Sequence, residues 1–232
     1  MKLGIMQPYF LPYIGYWQLI NAVDKYVIYD DVNYIKGGWV NRNNILFEGQ
    51  KKYINVPMQG SSSFKKINEI RVNNDDKLIS KTLFLIEQAY IKAPYYNNIL
   101  PLLCSILKCG KDNLSEYLIE SIHIICTYLD IETELIVSSC MEKDNELKAQ
   151  DKVLAICEQL GATEYYNAVG GQELYAHDEF KMRNMKLRFL EPQNITYKQF
   201  GDEFYGNLSI VDVMMFNPRE RIKGFLHEYI LK

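Results

Sequence analysis

Over residues 134–192, short apolar runs and helical patterns trade places along the chain, and this alternation constrains the fold most strongly. ELIVSSC reads as a strand, KAQDKVLAICEQLG as a helix capped at Gly161, and ATEYYN as a strand. GGQELYAHDEFKMRNM then reads as a helix and LRFLEP as a strand. The front of the chain repeats the rhythm. LGIMQ (3–7) is an apolar run ended by Pro8, and DKYVIYDDV (24–32) is a second run that ends in carboxylates. Between them lie an aromatic loop, PYFLPYIGYW, and a helix around Trp17–Ala22. Neighbouring parallel strands need a crossover of about a dozen residues, normally a helix, so this pattern predicts parallel βαβ units. The expected architecture is α/β: a Rossmann-like layered fold with a mostly parallel sheet.

The interior of the chain departs from that rhythm. NRNNILFEG and KKYINVPM flank Glu48–Gly49 as a hairpin, and QGSSSFKK (59–66) is a polar surface loop. Residues 77–130 are helical, with Leu118, Ile122, Ile125 and Leu129 on one stripe. We expect one domain over 1–232, with this block as an insertion or subdomain. Near the end, GNLSIVDVMMFNP (206–218) has helical spacing, with Asn207 or Ser209 able to cap it.

Composition excludes several function classes. Against 26 Lys and Arg stand 29 Asp and Glu, a net charge of −3, which argues against a general nucleic-acid binder or a polybasic membrane-surface protein. No apolar run approaches the roughly 20 residues that span a bilayer, and Pro8 and Pro12 interrupt any signal-peptide core. The five cysteines (Cys104, Cys109, Cys126, Cys140, Cys157) form no CxxC and suit reduced thiols in the cytoplasm. The three histidines do not cluster, so no zinc site or Cys–His nucleophile is expected. GxSxG and GxxxxGK[ST] are both absent.

Ligands of open α/β sheets bind beyond the carboxyl ends of the strands. Gln7 and Tyr9 follow the first strand, and Asp30, Asp31 and Asn33 follow the second. Tyr9, Tyr13 and Tyr16 offer flat faces with polar tips that suit a sugar ring or a base. Gly15 opens a helix whose N–H groups suit phosphate. Asp30 or Asp31 is the candidate proton acceptor, and adjacent strand residues point to opposite faces. KGGWVNRNN (36–44) adds Lys36 and Arg42 for phosphate or carboxylate, Trp39 as an aromatic wall, and Asn41 and Asn43 for hydroxyls. Ser209 and Asp212, three apart, share a face of the last helix and are expected at the pocket rim. Gln7, Tyr9, Asp31, Asn41 and Arg42 are expected to line one pocket. Gly170–Gly171 reads as a tight turn.

Taken together, MQPYFLPYIGYWQLINAVD, VIYDDVNYIKGGWVNRNNIL and INVPM resemble the signature of the WbqC-like proteins. ELIVSSC, KVLAICEQLGATEYYNAVGGQELY and FYGNLSIVDVMMFN continue the resemblance over nearly the whole chain. It departs at Asn33 and Gly37–Gly38, where bulkier or charged residues are usual. The resemblance implies a bacterial cytoplasmic protein found among functions that build O-antigen or other surface polysaccharide (lipopolysaccharide biosynthesis). The opening is also similar to that of nucleotidyltransferase-type folds, with Tyr16 where those carry a histidine. The leading expectation is a transferase acting on a nucleotide-linked sugar, moving an acyl or aminoacyl group to an amino sugar. The alternatives are an ATP-dependent adenylate-forming or nucleotidyl transferase and a non-catalytic scaffold of the same pathway. A nucleotide, with or without Mg²⁺, or an acyl donor fits as cofactor, with no resident metal, and the nucleotide sugar fits as partner.

Overall fold

The computed structural model describes residues 1–232. Strand β1 (Lys2–Met6) leads through an aromatic loop into helix α1 (Ile14–Asn21) and then β2 (Lys25–Ile28). Next comes the hairpin β3 (Arg42–Phe47) and β4 (Gln50–Asn55), turning at Glu48 and Gly49, both with positive φ. That turn needs the glycine, since two successive left-handed residues make the tight two-residue hairpin connection. A short pair, β5 (Met58–Gln59) and β6 (Arg71–Val72), brackets the 60–66 loop. Helices α2 (Asp76–Tyr90), α3 (Tyr96–Leu107) and α4 (Leu114–Leu129) form the helical block. Asp75 caps α2 and Asn113 caps α4, each accepting from two backbone N–H groups. The chain then returns to the sheet with β7 (Glu134–Val137), α5 (Ala149–Gln159), β8 (Glu164–Ala168), α6 (His177–Met182) and β9 (Lys186–Pro192). Helices α7 (Ile210–Phe216) and α8 (Arg219–Phe225) and strand β10 (Tyr229–Leu231) complete it.

The central sheet runs β10-β9-β8-β1-β2-β7. Five strands are parallel, and β10 lies antiparallel on β9. Strand alternation divides the core between the two faces. Leu3, Ile5, Val27 and Phe189 pack on Val153 and Ile156 of α5 and Phe180 of α6. Tyr26, Ile28 and Leu190 face the other way, onto a larger core that takes in α1, the helical block and α7. The fold is therefore mixed α/β with a mostly parallel sheet, and its helical block shares one core with a sheet face.

Two expected elements differ. The first helix starts at Ile14 rather than near Trp17. Residues 169–174 form a 3-10 turn, and only His177–Met182 are α-helical. Two glycines weaken helix there, and the turn carries Tyr175 onto Tyr165, whose hydroxyls meet at 3.1 Å.

Candidate functional site at the carboxyl edge of the sheet

Parallel strands bring their carboxyl ends to one edge. Ile28 ends β2, and the next turn places Asp30 and Asp31 there, 1% and 6% exposed. Val137, the partner of Ile28, ends β7 beside them and delivers Ser138 and Ser139. The two aspartates face opposite layers. Asp30 accepts from the Ser115 hydroxyl of α4 (2.7 Å) and from the Ser139 N–H (2.9 Å) and hydroxyl (2.7 Å). Asp31 accepts from the Ser138 hydroxyl (2.6 Å) and pairs with Lys143 Nζ and Lys152 Nζ, each at 3.1 Å. Lys143 also donates to the Ser138 carbonyl, and Lys152 Nζ sits 5.6 Å from the Tyr29 ring centre.

Both lysine side chains are buried. Burial pushes the Asp31 carboxyl up, but hydrogen bonds from Ser138, Lys143 and Lys152 outweigh it and hold the pKa below its ordinary value. Asp31 is thus a stable carboxylate that anchors two cations. Proton acceptance, the role expected from sequence, calls for a carboxylate less firmly held as an anion. Sequence reasoning missed Lys143 and Lys152. The signal was present for Lys152, which lies four residues before Ile156 on the buried stripe of α5 and so needs a buried counter-charge.

Alongside this cluster, the loop after β1 opens a cleft of about 290 Å³, lined by Tyr9, Pro12, Tyr13, Trp39, Asn43 and Asn207. Asn207, with φ of 57°, also borders a second cleft of about 380 Å³ lined by Ile14, Pro192, Tyr197, Phe204 and Val213. Aromatic faces with the Asn207 amide at the wall suit a ring that carries hydroxyls or amides.

The remaining expected residues are distributed as follows. Gln7 lies at the end of β1 with its side-chain carbonyl oxygen buried and without a hydrogen-bond partner. Tyr16 is buried and donates to the Gln7 carbonyl at 3.1 Å, so it supports the loop from beneath. Asn33 pairs in an isolated bridge with Lys66, and Lys36 is exposed. Asn41 accepts from the Tyr34 hydroxyl (2.7 Å). Arg42 donates to the carbonyls of Gly37 and Gly38 and stacks on Tyr53 at 4.4 Å. Asn43 donates its amide to the carbonyls of Phe10 and Leu11. Of Gln7, Tyr9, Asp31, Asn41 and Arg42, only Tyr9 lines the aromatic cleft. Tyr9 belongs to the aromatic cleft, Asp31 to the lysine cluster, and Asn41 and Arg42 spend their polar atoms on the chain itself.

Two further expectations are corrected. A Cβ on Gly15 would stand 2.5 Å from the Tyr13 ring and 2.6 Å from Pro192, so this glycine admits close packing, not a phosphate. Ser209 and Asp212 lie in the core, not at a rim. Ser209 accepts from the Val211 N–H and donates to the Leu11 carbonyl at 2.6 Å. Asp212, fully buried, accepts from Tyr90 (2.8 Å), Tyr197 (2.7 Å) and Gln199 (2.6 Å). Burial raises its pKa, with those hydrogen bonds opposing.

The mostly parallel α/β sheet carries a polar cluster and an aromatic cleft at its carboxyl edge, where open α/β sheets place their ligands. The chain belongs to the WbqC-like protein family, whose model matches residues 7–224. It is similar to the uncharacterized protein Rv1507c of Mycobacterium tuberculosis, with 31% identity over 230 residues and 97% of each chain covered. No solved structure matches it. No helix is long and apolar enough to cross a membrane.

Proposed function

We propose that the protein is an enzyme of bacterial surface-polysaccharide synthesis that binds a nucleotide-linked sugar along the carboxyl edge of its sheet. The reaction is acyl or aminoacyl transfer from an activated acyl donor to the nitrogen of an amino sugar: the C–N bond forms as the donor's bond to its leaving group breaks, and the amine proton passes to that leaving group or to water. The observation that carries this reading is the cleft of Tyr9, Tyr13 and Trp39 with Asn43 and Asn207 at its wall. Aromatic faces stack on a base or a sugar ring, and the Asn207 amide reads its hydroxyls and acyl groups, while Asn43, held by the Phe10 and Leu11 carbonyls, shapes the wall. Counted in chain order, the six strands of the sheet lie 3-2-1-4-5-6 with the sixth antiparallel, an order that supports a Rossmann-like reading. The order reverses beside β1, which leads directly into the Tyr9 loop. Asp30 and Asp31 then act as the frame that holds the edge, with Lys143 and Lys152 as its charges. WbqC-like membership supports the pathway.

A second reading, ATP-dependent adenylate-forming or nucleotidyl transfer, draws on the same two lysines, since phosphoryl chemistry needs cations near its leaving group. A thermal-shift series with nucleotides, nucleotide sugars and acyl donors tests both. A ligand at a hundred times its dissociation constant stabilises the fold by about 2.7 kcal/mol. We expect a UDP- or dTDP-amino sugar to raise the melting temperature and Tyr13→Ala with Asn207→Ala to abolish the rise. A rise only with ATP and Mg²⁺ favours the second reading, and no rise at millimolar ligand rejects both.

A further inference from the structure

We propose that the face built from the 34–42 loop, the β3–β4 hairpin and the 60–66 loop rests on an anionic membrane surface. Residues 33–66 carry six of the chain's cations and one acid, Glu48, while the other 198 residues carry 20 cations against 28 acids. The basic segment is thus set apart from an otherwise acidic molecule. The same segment presents four large apolar side chains to solvent: Ile35 (53% exposed), Trp39 (45%), Tyr53 (50%) and Phe64 (94%).

Backbone contacts gather these side chains into one region. Tyr34 donates its N–H to the Lys65 carbonyl at 2.9 Å, and Asn33 bridges to Lys66, so the Phe64 loop lies against the Ile35 loop. Gly38 closes a turn onto the Ile35 carbonyl at 3.0 Å. Arg42 then covers Tyr53, whose ring centre is 6.4 Å from that of Trp39. At the tip, the Ser62 hydroxyl and carbonyl accept from the N–H groups of Phe64 and Lys65, so a built turn holds Phe64 out.

Tryptophan and tyrosine favour the headgroup level of a bilayer, and lysine and arginine stems lie along apolar surface with their charges outward. A phenylalanine at a loop tip adds an apolar insertion, and the cations match anionic headgroups. Single-stranded nucleic acid also takes aromatic and basic side chains, but it stacks on rings. Ile35 has no ring, and Phe64 stands clear of any platform, so the bilayer surface is the better fit.

The test is sedimentation of the whole protein with vesicles of phosphatidylglycerol and phosphatidylcholine in equal parts, beside vesicles of phosphatidylcholine alone. We expect sedimentation with the anionic vesicles, decreasing with added salt. Phe64→Ser should weaken partitioning about tenfold and Lys65→Glu about fivefold or more, with melting temperatures unchanged because both side chains lie outside the core. Equal binding to both vesicle types overturns the proposal, as does equal binding by the wild type and the Phe64→Ser, Lys65→Glu double variant. So does binding of an oligodeoxythymidine without vesicle binding, or a dimer in size-exclusion chromatography that the double variant abolishes. Trp39 borders both this face and the aromatic cleft, but Phe64 and Lys65 do not line the cleft, so the two variants report on the membrane face with the cleft lining unchanged.

Discussion

At the scale of single residues, Asp31 carries the heaviest charge duty of the sheet edge, a buried carboxylate between two buried lysines. One carboxylate holds two buried ammonium groups and a hydroxyl. Replacing it with Asn removes the negative charge and leaves both lysines uncompensated, which should cost about 3–5 kcal/mol at pH 7 in urea unfolding. The pH dependence has a definite sign. The Asp31 pKa is depressed in the folded state, so its contribution is complete above the unfolded value of about 3.9 and is lost as pH falls through the lower folded value. The gap between wild type and Asp31→Asn should therefore narrow below about pH 4, and a gap that stays constant to pH 2 contradicts the assignment. The acids themselves were legible as a pair closing an apolar run, but the strand ends at Ile28, so their divergence comes from the turn and not from strand alternation. Their partners were not, because Lys152 lies 121 positions away and nothing local marks which strand end it will meet.

Among elements, α7 shows how a correct helix can carry a wrong inference about its polar face. Helical spacing and the Ser209 cap were both readable, and the helix forms at Ile210–Phe216. The expectation that Asp212 turns toward a wet pocket assumed that a short helix keeps one solvated side. Ile210, Val211, Met214 and Met215 are all inaccessible, so α7 has no wet side, and its aspartate is satisfied by Tyr90 of α2 and by Tyr197 and Gln199. Asp212→Ala leaves three buried donors unpaired, at about 1–3 kcal/mol each. We expect a loss of at least about 3 kcal/mol in chemical denaturation, with the ligand-induced thermal shift retained. Loss of the shift in a variant that melts normally would return Asp212 to the binding site. Helical block, hairpin and parallel strands were legible for a related reason: each depends on periodicity or turn chemistry within a few residues. The 169–174 turn was not, because its shape is set by Tyr175 reaching Tyr165 across a strand end.

Across the whole molecule, a net charge of −3 conceals a basic segment inside an acidic remainder, and the proposed membrane face rests on that segment rather than on the bulk balance. The sheet's edges matter at the same scale. Strand β10 covers β9 through pairs such as Ile230↔Glu191, and Lys232 reinforces it through a 2.6 Å ion pair with Glu191. Deleting residues 229–232 should expose β9 and yield larger particles in light scattering on warming, whereas a monodisperse variant would show that the edge is protected otherwise. The other side of the sheet has a temporal consequence. Strand β2 pairs with β7, yet 105 residues separate Ile28 from Glu134. At about 5–20 residues per second, a ribosome needs roughly 5–20 s to supply that partner. Helices α2, α3 and α4 emerge in the interval and can form from local contacts. The bare flank of β2 meanwhile waits on the nascent chain, and that wait is the period in which this protein is most open to mispairing and most dependent on whatever shields unfinished chains.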